Sequence, residues 1–200
     1  PSDAPLIFIA NEFFDALPIK QYVFDDGTWF ERAVHLCEDL FYLDKIATEI
    51  IDLPNSAEQG AIREISSARA SVAEQVGRLL VKTGGAGLIV DYGFKGPAFG
   101  DTLQAIRRHE YCDVLKYIGD ADLTAHVDFT ALREGFIKSG ANVMSLKNQG
   151  EFLRSLGILA RVEKLLKIAD DKQADQIQKA LHRLCSSSEM GVLFKVMGVY

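Results

Sequence analysis

Cysteine is scarce in this 200-residue chain: Cys37, Cys112 and Cys185 are odd in number, far apart and contain no CxxC pair. That pattern excludes a disulfide framework and a cysteine zinc site, and it makes a reducing compartment the default. The four histidines, His35, His109, His126 and His182, show no HExxH or comparable metal spacing, so no metal site is expected. No serine sits in a GxSxG elbow, which leaves a hydrolase triad unsupported. Positive charge is also short. Twenty-two Lys and Arg face 28 Asp and Glu, for a net charge of −6 and a pI near 5.2. Unaided binding to nucleic acid needs clustered basic residues and is not expected; weak attraction to basic partners is. The longest apolar runs, such as Leu6–Ala10 and Gly87–Val90, fall far short of the roughly 20 residues a membrane helix requires. No signal-peptide pattern opens the chain, and no repeat or low-complexity tract interrupts it.

What is present is an ordinary globular composition, 48% hydrophobic and 25% charged. Pro1-Ser2-Asp3-Ala4-Pro5 reads as a loop entering a strand at once, an ordinary beginning for a fragment. Leu6–Ala10 is apolar without alternation, which predicts a strand covered on both faces. Tyr22–Phe24 and Thr28–Phe30 flank Asp25-Asp26-Gly27, a hairpin signal, and mixed sequence to Pro54 suggests a small sheet beside the main one. From Ser56 to Lys82 the spacing of Ile62, Ile65, Ala68, Val72, Val76, Leu79 and Leu80 predicts a helix, with Glu64 and Arg69 on its polar faces. Gly84 and Gly85 stop it. Leu88–Val90 follows as a second buried strand, and strand–helix–strand order implies an α/β fold with a parallel sheet. After a loop-rich stretch from Phe94 to Asp122, Asp128 caps a helix through Lys138, with Phe129, Leu132, Phe136 and Ile137 inward and Gly140 closing it. Ala141–Leu146 reads as a third strand, Glu151–Asp170 and Asp171–Leu184 as helices, and Val192–Tyr200 as a last strand.

Ligands of open parallel sheets bind beyond the carboxyl ends of the strands, so the informative segments are those directly after Ala10, Val90 and Leu146. The first holds Asn11, Glu12 and Asp15 around Phe13 and Phe14. An amide oxygen can accept from an attacking amine or guanidine nitrogen, and carboxylates can grip a guanidinium with two parallel bonds. The phenylalanines taken alone read as core. The second segment, Asp91-Tyr92-Gly93 continuing to Gly100-Asp101-Thr102-Leu103, reads equally as a backbone approached closely by a ligand or another loop and as a tight surface turn. Thr83-Gly84-Gly85-Ala86-Gly87 looks like a phosphate loop but runs helix to strand, the wrong direction for one. His126, set among Asp122, Thr124 and Asp128, fits a hydrogen-bond network better than catalysis.

Six blocks then occur in order: Asn11–Pro18, Asp91–Gly93, Gly100–Leu103, Ala121–Phe129, Gln149–Leu153 and Met190–Lys195. Together they resemble the MidA-like S-adenosylmethionine-dependent methyltransferases, a family that includes a mitochondrial complex I assembly factor acting on arginine. The resemblance implies a class I, Rossmann-like methyltransferase fold. Leu6–Ala10, Gly87–Val90, Ala141–Leu146 and Val192–Tyr200 would be strands 4 to 7 of it, with a reversed last strand and a helical insertion over 151–184. The first three strands and the main cofactor loop would precede residue 1. It implies Asn11, Glu12 and Asp15 as catalytic. Phe13, Phe14, Tyr92, Asp101, His126 and Asp128 would contact substrate, and Asn11, Asp91 and Gly93 the cofactor, S-adenosylmethionine. It further implies a protein substrate such as a quinone-module subunit of complex I, and a mitochondrial-matrix or bacterial cytoplasmic location. A non-catalytic interaction module and a methyltransferase acting on a small amine are the rival readings.

Overall fold

A computed structural model describes residues 4–48 and 53–200 of the chain. The loop expected over Pro1–Pro5 lies mostly outside the described residues. The chain opens with β1 (Leu6–Asn11), and β2 (Lys20–Asp25) and β3 (Thr28–Cys37) follow as the expected hairpin. Asp26 and Gly27 both take positive φ, 47° and 77°, the geometry that matches a two-residue turn to strand twist. A second left-handed pair, Glu38 and Asp39, turns β3 into β4 (Leu40–Ala47), and β5 (Ile62–Ile65) joins the far edge, giving a satellite sheet in the order β4-β3-β2-β5.

The long helix expected from Ser56 begins later. Ile62–Ile65 is strand, and α1 runs Ser67–Thr83, with Ser66 Oγ accepting the Arg69 N–H as its cap. A spacing of three suits a helical face and puts Ile62 and Ile65 on opposite faces of a strand, yet pairing with β2 decides for the strand. Gly84 stops α1 as expected, its N–H bonding to the Leu80 carbonyl. β6 (Gly85–Phe94) follows, then a three-stranded sheet inside the stretch read as loop, built from β7 (Gln104–Arg107), β8 (Glu110–Cys112) and β9 (Asp122–Thr124). After β10 (Val127–Asp128), Asp128 caps α2 (Phe129–Lys138) by accepting the N–H groups of Thr130 and Ala131. Ile137, expected inward, is exposed.

The third strand expected over Ala141–Leu146 is reduced to one antiparallel bridge, Val143 to Val199, before the short β11 (Lys147–Asn148). The helix expected over Glu151–Asp170 divides into α3 (Gln149–Ser155) and α4 (Ile158–Leu166), broken at Gly157 with φ 84°. α5 spans Asp171–Cys185, and the last expected strand is split into α6 (Met190–Leu193) and β12 (Phe194–Val199).

The main sheet has the order β1-β6-β12-β11, with β1 and β6 parallel and β12 antiparallel to β6. A parallel pair and a reversed last strand are what the resemblance implied. The core lies between this sheet and the packed pair α1 and α2, with Phe14, Leu80, Ile89, Val127, Phe129, Phe136 and Met197 enclosed. Each such large side chain contributes about 1.5–3 kcal/mol of transfer free energy. β1 is not covered on both faces: Leu6, Phe8 and Ala10 pack on the core, but Ile7 and Ile9 are 83% and 73% exposed. An apolar run reports two apolar faces; whether both are covered depends on neighbours outside the run.

Candidate active site

Register places the site. Asn11 of β1 lies opposite Val90 of β6, so Glu12–Asp15 and Asp91–Gly93 emerge side by side at the carboxyl ends of two parallel strands. The Glu12 N–H bonds to the Val90 carbonyl at 2.9 Å and holds the crossing point. Glu12 itself has φ 48°, a left-handed conformation that is rare outside glycine, asparagine and aspartate and concentrates at functional sites. Asn11 and Glu12 are exposed, their side chains 3.4 Å apart from amide nitrogen to carboxylate oxygen.

The loop beyond them is fixed by two buried charges. Asp91 is fully enclosed, and its carboxylate accepts three main-chain N–H groups: Phe14 at 3.0 Å and Asp15 at 3.2 Å on Oδ2, and Tyr92 at 3.0 Å on Oδ1. Burial, and then the nearby Asp15 carboxylate, push its pKa up to about 7 against the pull of those three bonds. From the other side Arg69 donates to the carbonyls of Phe14 (2.7 Å), Asp15 (3.1 Å), Ala125 (2.8 Å) and His126 (2.8 Å). The Ala125 N–H also donates to the Asp15 carbonyl at 3.0 Å. Backbone donors and acceptors of the loop are thereby satisfied from within, and the Asp15 side chain is free of that duty. Asp15 is 4% exposed, and its Oδ1 has no hydrogen-bond partner. A buried carboxylate oxygen without a donor is costly unless a cation or donor completes it.

Tyr92 lies beside this group. Its ring meets those of His126 and Phe194 edge-on, both at 5.4 Å, and burial followed by a side-chain hydrogen bond with the Asp15 carboxylate raises its hydroxyl pKa. Phe13 is exposed and touches Phe14 edge-on at 5.2 Å. Phe14 belongs to the core, so its expected substrate contact gives way to packing.

The remaining expected residues sit elsewhere. Asp101 accepts from Gln21 (2.7 Å) and pairs with Arg32 (2.7 Å) at a separate cleft toward the satellite sheet. Asp128 spends Oδ1 on capping α2 and Oδ2 on Arg63 at 3.3 Å. With His126 it lines a cavity of about 290 Å³ that includes Arg63, Arg69 and Phe94 but not Asn11, Glu12 or Asp15. Burial lowers the His126 pKa, with Glu64 opposing the shift. Gly93 is small because a Cβ there would lie 2.1 Å from the Val127 carbonyl oxygen; of the two readings left open for this segment, the neighbouring backbone accounts for it. The cofactor contact expected of Asp91 likewise lacks an exposed atom to make it.

Two residues of consequence were assigned to the polar face of a helix, Arg69 and Glu64. The buried Glu64 accepts from Gln21 Nε2 (2.8 Å), the Thr102 N–H (2.9 Å), the Leu103 N–H (3.2 Å) and the Thr102 hydroxyl. Ser66 held the signal that could have found them. A serine cap starting the helix at Ser67 leaves Glu64 on a strand and moves the helical phase by which Arg69 is judged.

A class I cofactor requires a strand-to-helix glycine turn. Gly85 is demanded instead by the β1–β6 pairing, since a Cβ there would lie 1.8 Å from the Leu6 carbonyl oxygen. Gly150, the second residue of α3 just after β11, is closed off as well, since a Cβ there would lie 2.7 Å from the Cys185 carbonyl oxygen. Neither of these glycines therefore forms a cradle for the methionine and ribose of S-adenosylmethionine, and the strand ends supply a wall.

A parallel strand pair with a reversed final strand and polar loops at the carboxyl ends defines a methyltransferase-like α/β fold. The family model of S-adenosyl-L-methionine-dependent methyltransferases matches residues 1–146, and the chain belongs to that family. A Caenorhabditis elegans protein named protein arginine methyltransferase NDUFAF7 homolog, mitochondrial, is 32% identical over 208 residues, covering 99% of this chain and 48% of its own length. The Danio rerio protein arginine methyltransferase NDUFAF7, mitochondrial, is 32% identical, covering 96% of this chain and 47% of its own. A crystal structure of a Burkholderia thailandensis superfamily relative bound to S-adenosyl-homocysteine superposes with a TM-score of 0.84 at 26% identity, over 100% of this chain and 54% of that one. The chain thus spans about half the length of the relatives it matches.

Proposed function

We propose that the chain is the C-terminal part of an S-adenosylmethionine-dependent protein arginine N-methyltransferase and supplies its acceptor wall. The observation that carries this reading is Asp15, buried at the strand ends with an unpartnered carboxylate oxygen that a guanidinium would complete. When bound, S-adenosylmethionine supplies an electrophilic methyl group. The chain's own residues prepare the acceptor. Arginine keeps its proton to a pKa above about 12 and has no free lone pair, so one nitrogen must be made nucleophilic in place. Glu12 and Asp15 orient the guanidinium and localise its charge, Glu12 takes the proton that leaves the attacking nitrogen, and Asn11 aligns that nitrogen through its amide oxygen. The exposed Phe13 ring covers the cation. The resemblance to complex I assembly factors supports a respiratory-complex subunit as substrate, in a mitochondrial matrix or a bacterial cytoplasm.

Glu12→Gln and Asp15→Asn in the full-length protein test the roles. S-adenosylmethionine affinity by calorimetry should stay within about twofold, while methyl transfer to an arginyl peptide falls at least about a hundredfold, the scale on which general acid–base groups act. Turnover unchanged in both variants removes these residues from the mechanism.

A second reading is a non-catalytic docking module working through α3–α5. It draws on α4, which buries no residue, and on the exposed Leu156 and Ile168. Titrating the 200-residue chain with S-adenosylmethionine separates it from an intact cofactor site: tight binding contradicts the missing cradle. Methyl transfer to free amines in place of peptides would favour a small-molecule acceptor.

A further inference from the structure

We propose that Arg69 is a positioning residue that sets the acceptor loop of residues 12–16 against the neighbouring segment 124–128, so that a single guanidinium fixes where that loop stands. The inference rests on the reading of Asn11, Glu12 and Asp15 as the acceptor side. Arg69 is buried at the start of α1, and its four hydrogen bonds end on the carbonyls of Phe14, Asp15, Ala125 and His126, none of them a carboxylate. A cationic side chain satisfied only by carbonyls is an expensive way to fill a core, because an apolar side chain of similar volume avoids the desolvation. Its planar fork instead fixes four acceptors in one geometry, which a flexible ammonium cannot do. The four acceptors come as two adjacent pairs from segments more than a hundred residues apart in sequence (14–15 and 125–126), and each pair abuts expected site residues: Glu12 and Asp15 in one, His126 and Asp128 in the other.

The same junction carries a second anchor. Glu64, five residues before Arg69, holds Thr102, whose hydroxyl oxygen accepts the His126 N–H at 2.9 Å. The β5–α1 corner therefore ties three loops together, and Arg69 alone among these anchors reaches the acceptor loop. Asp91 grips the opposite side of that loop through its N–H groups, so losing Arg69 leaves the Phe14 and Asp15 carbonyls only the Leu17 and Ala125 N–H groups and lets the loop, with its N–H bonds to Asp91, open more often.

The test is Arg69→Lys in the full-length protein, read by amide hydrogen exchange, melting temperature, S-adenosylmethionine affinity and steady-state kinetics with an arginyl peptide. Exchange should quicken at residues 12–16 and 124–128 and stay unchanged in α1, β6 and β12. Affinity for S-adenosylmethionine should stay within about twofold. With the acceptor displaced by a fraction of an ångström to an ångström, kcat should fall about ten- to a hundredfold, with a smaller change in KM. Glu64→Gln should loosen 100–103 and 124–128 and leave 12–16 protected. Exchange quickened throughout the domain with a lowered melting temperature overturns the proposal, because Arg69 is then a stability residue; so does unchanged exchange at 12–16. If wild-type protein methylates no arginine while Arg69→Lys loosens only the two segments, the arginine reading falls and the positioning of the loop stands.

Discussion

The Asp91 carboxylate accepts the main-chain N–H of Asp15 at 3.2 Å, so one buried acidic side chain fixes the backbone that presents another. The arrangement separates two jobs a sequence motif leaves merged. Asp91 holds the loop, and Asp15 keeps a carboxylate oxygen unengaged. Three consequences can be measured.

The first is a pH dependence. The Asp91 pKa rises from 3.8 to about 7 in the folded protein, chiefly through burial. Between those values the folded state holds a proton that the unfolded state has lost. Stability therefore falls as pH rises through that window, by about 1.4 kcal/mol per unit from this group at most, and levels off above about pH 7. Urea unfolding at intervals from pH 4.5 to 8 should reveal this slope, and Asp91→Asn should remove it whatever its effect on the overall level. Parallel curves for the two proteins would mean that Asp91 does not titrate in this range.

Gly93→Ala should be destabilising by about 1–3 kcal/mol, the cost of overpacking a closed contact. The added Cβ would lie 2.1 Å from the Val127 carbonyl oxygen, so β10 must move, and Asp128 with its cap on α2 moves with it. Urea midpoints check the magnitude. Unchanged stability with weakened cofactor binding would instead make the glycine a requirement of the ligand.

Glu12→Gly should cost no stability and could add up to about 1 kcal/mol, since glycine accepts the left-handed φ of 48° that glutamate adopts under strain. Methyl transfer by the full-length variant should nonetheless be lost with the carboxylate. A clear drop in melting temperature would show that Glu12 contributes to the fold and would weaken the functional reading of its backbone.

Much of the scaffold was legible because its signals are local. Asp25-Asp26-Gly27 dictates a hairpin, Asp128 caps α2, and Gly84 ends α1, each through backbone chemistry completed within a few residues. The polar cluster after Ala10 was legible for the same reason: Asn11, Glu12 and Asp15 stand where an apolar run ends. Misreadings fell where local spacing gives way to contacts made elsewhere in the chain. Ile62 and Ile65 have helical spacing but lie on a strand, Ala141–Leu146 pairs through a single bridge, and the apolar β1 leaves Ile7 and Ile9 uncovered.

The sequence by itself determined the α/β order, the parallel strand pair and the place where the site emerges, because hydrophobic period and turn chemistry are properties of neighbouring residues. Only the tertiary structure decided that Glu64, Arg69 and Asp91 are anchors inside the protein and that Asp101 and Asp128 are engaged away from Asp15. A charged side chain can be buried only when partners meet its hydrogen-bonding capacity. For Arg69 those partners lie 54 to 57 residues away along the chain, beyond the reach of any periodicity.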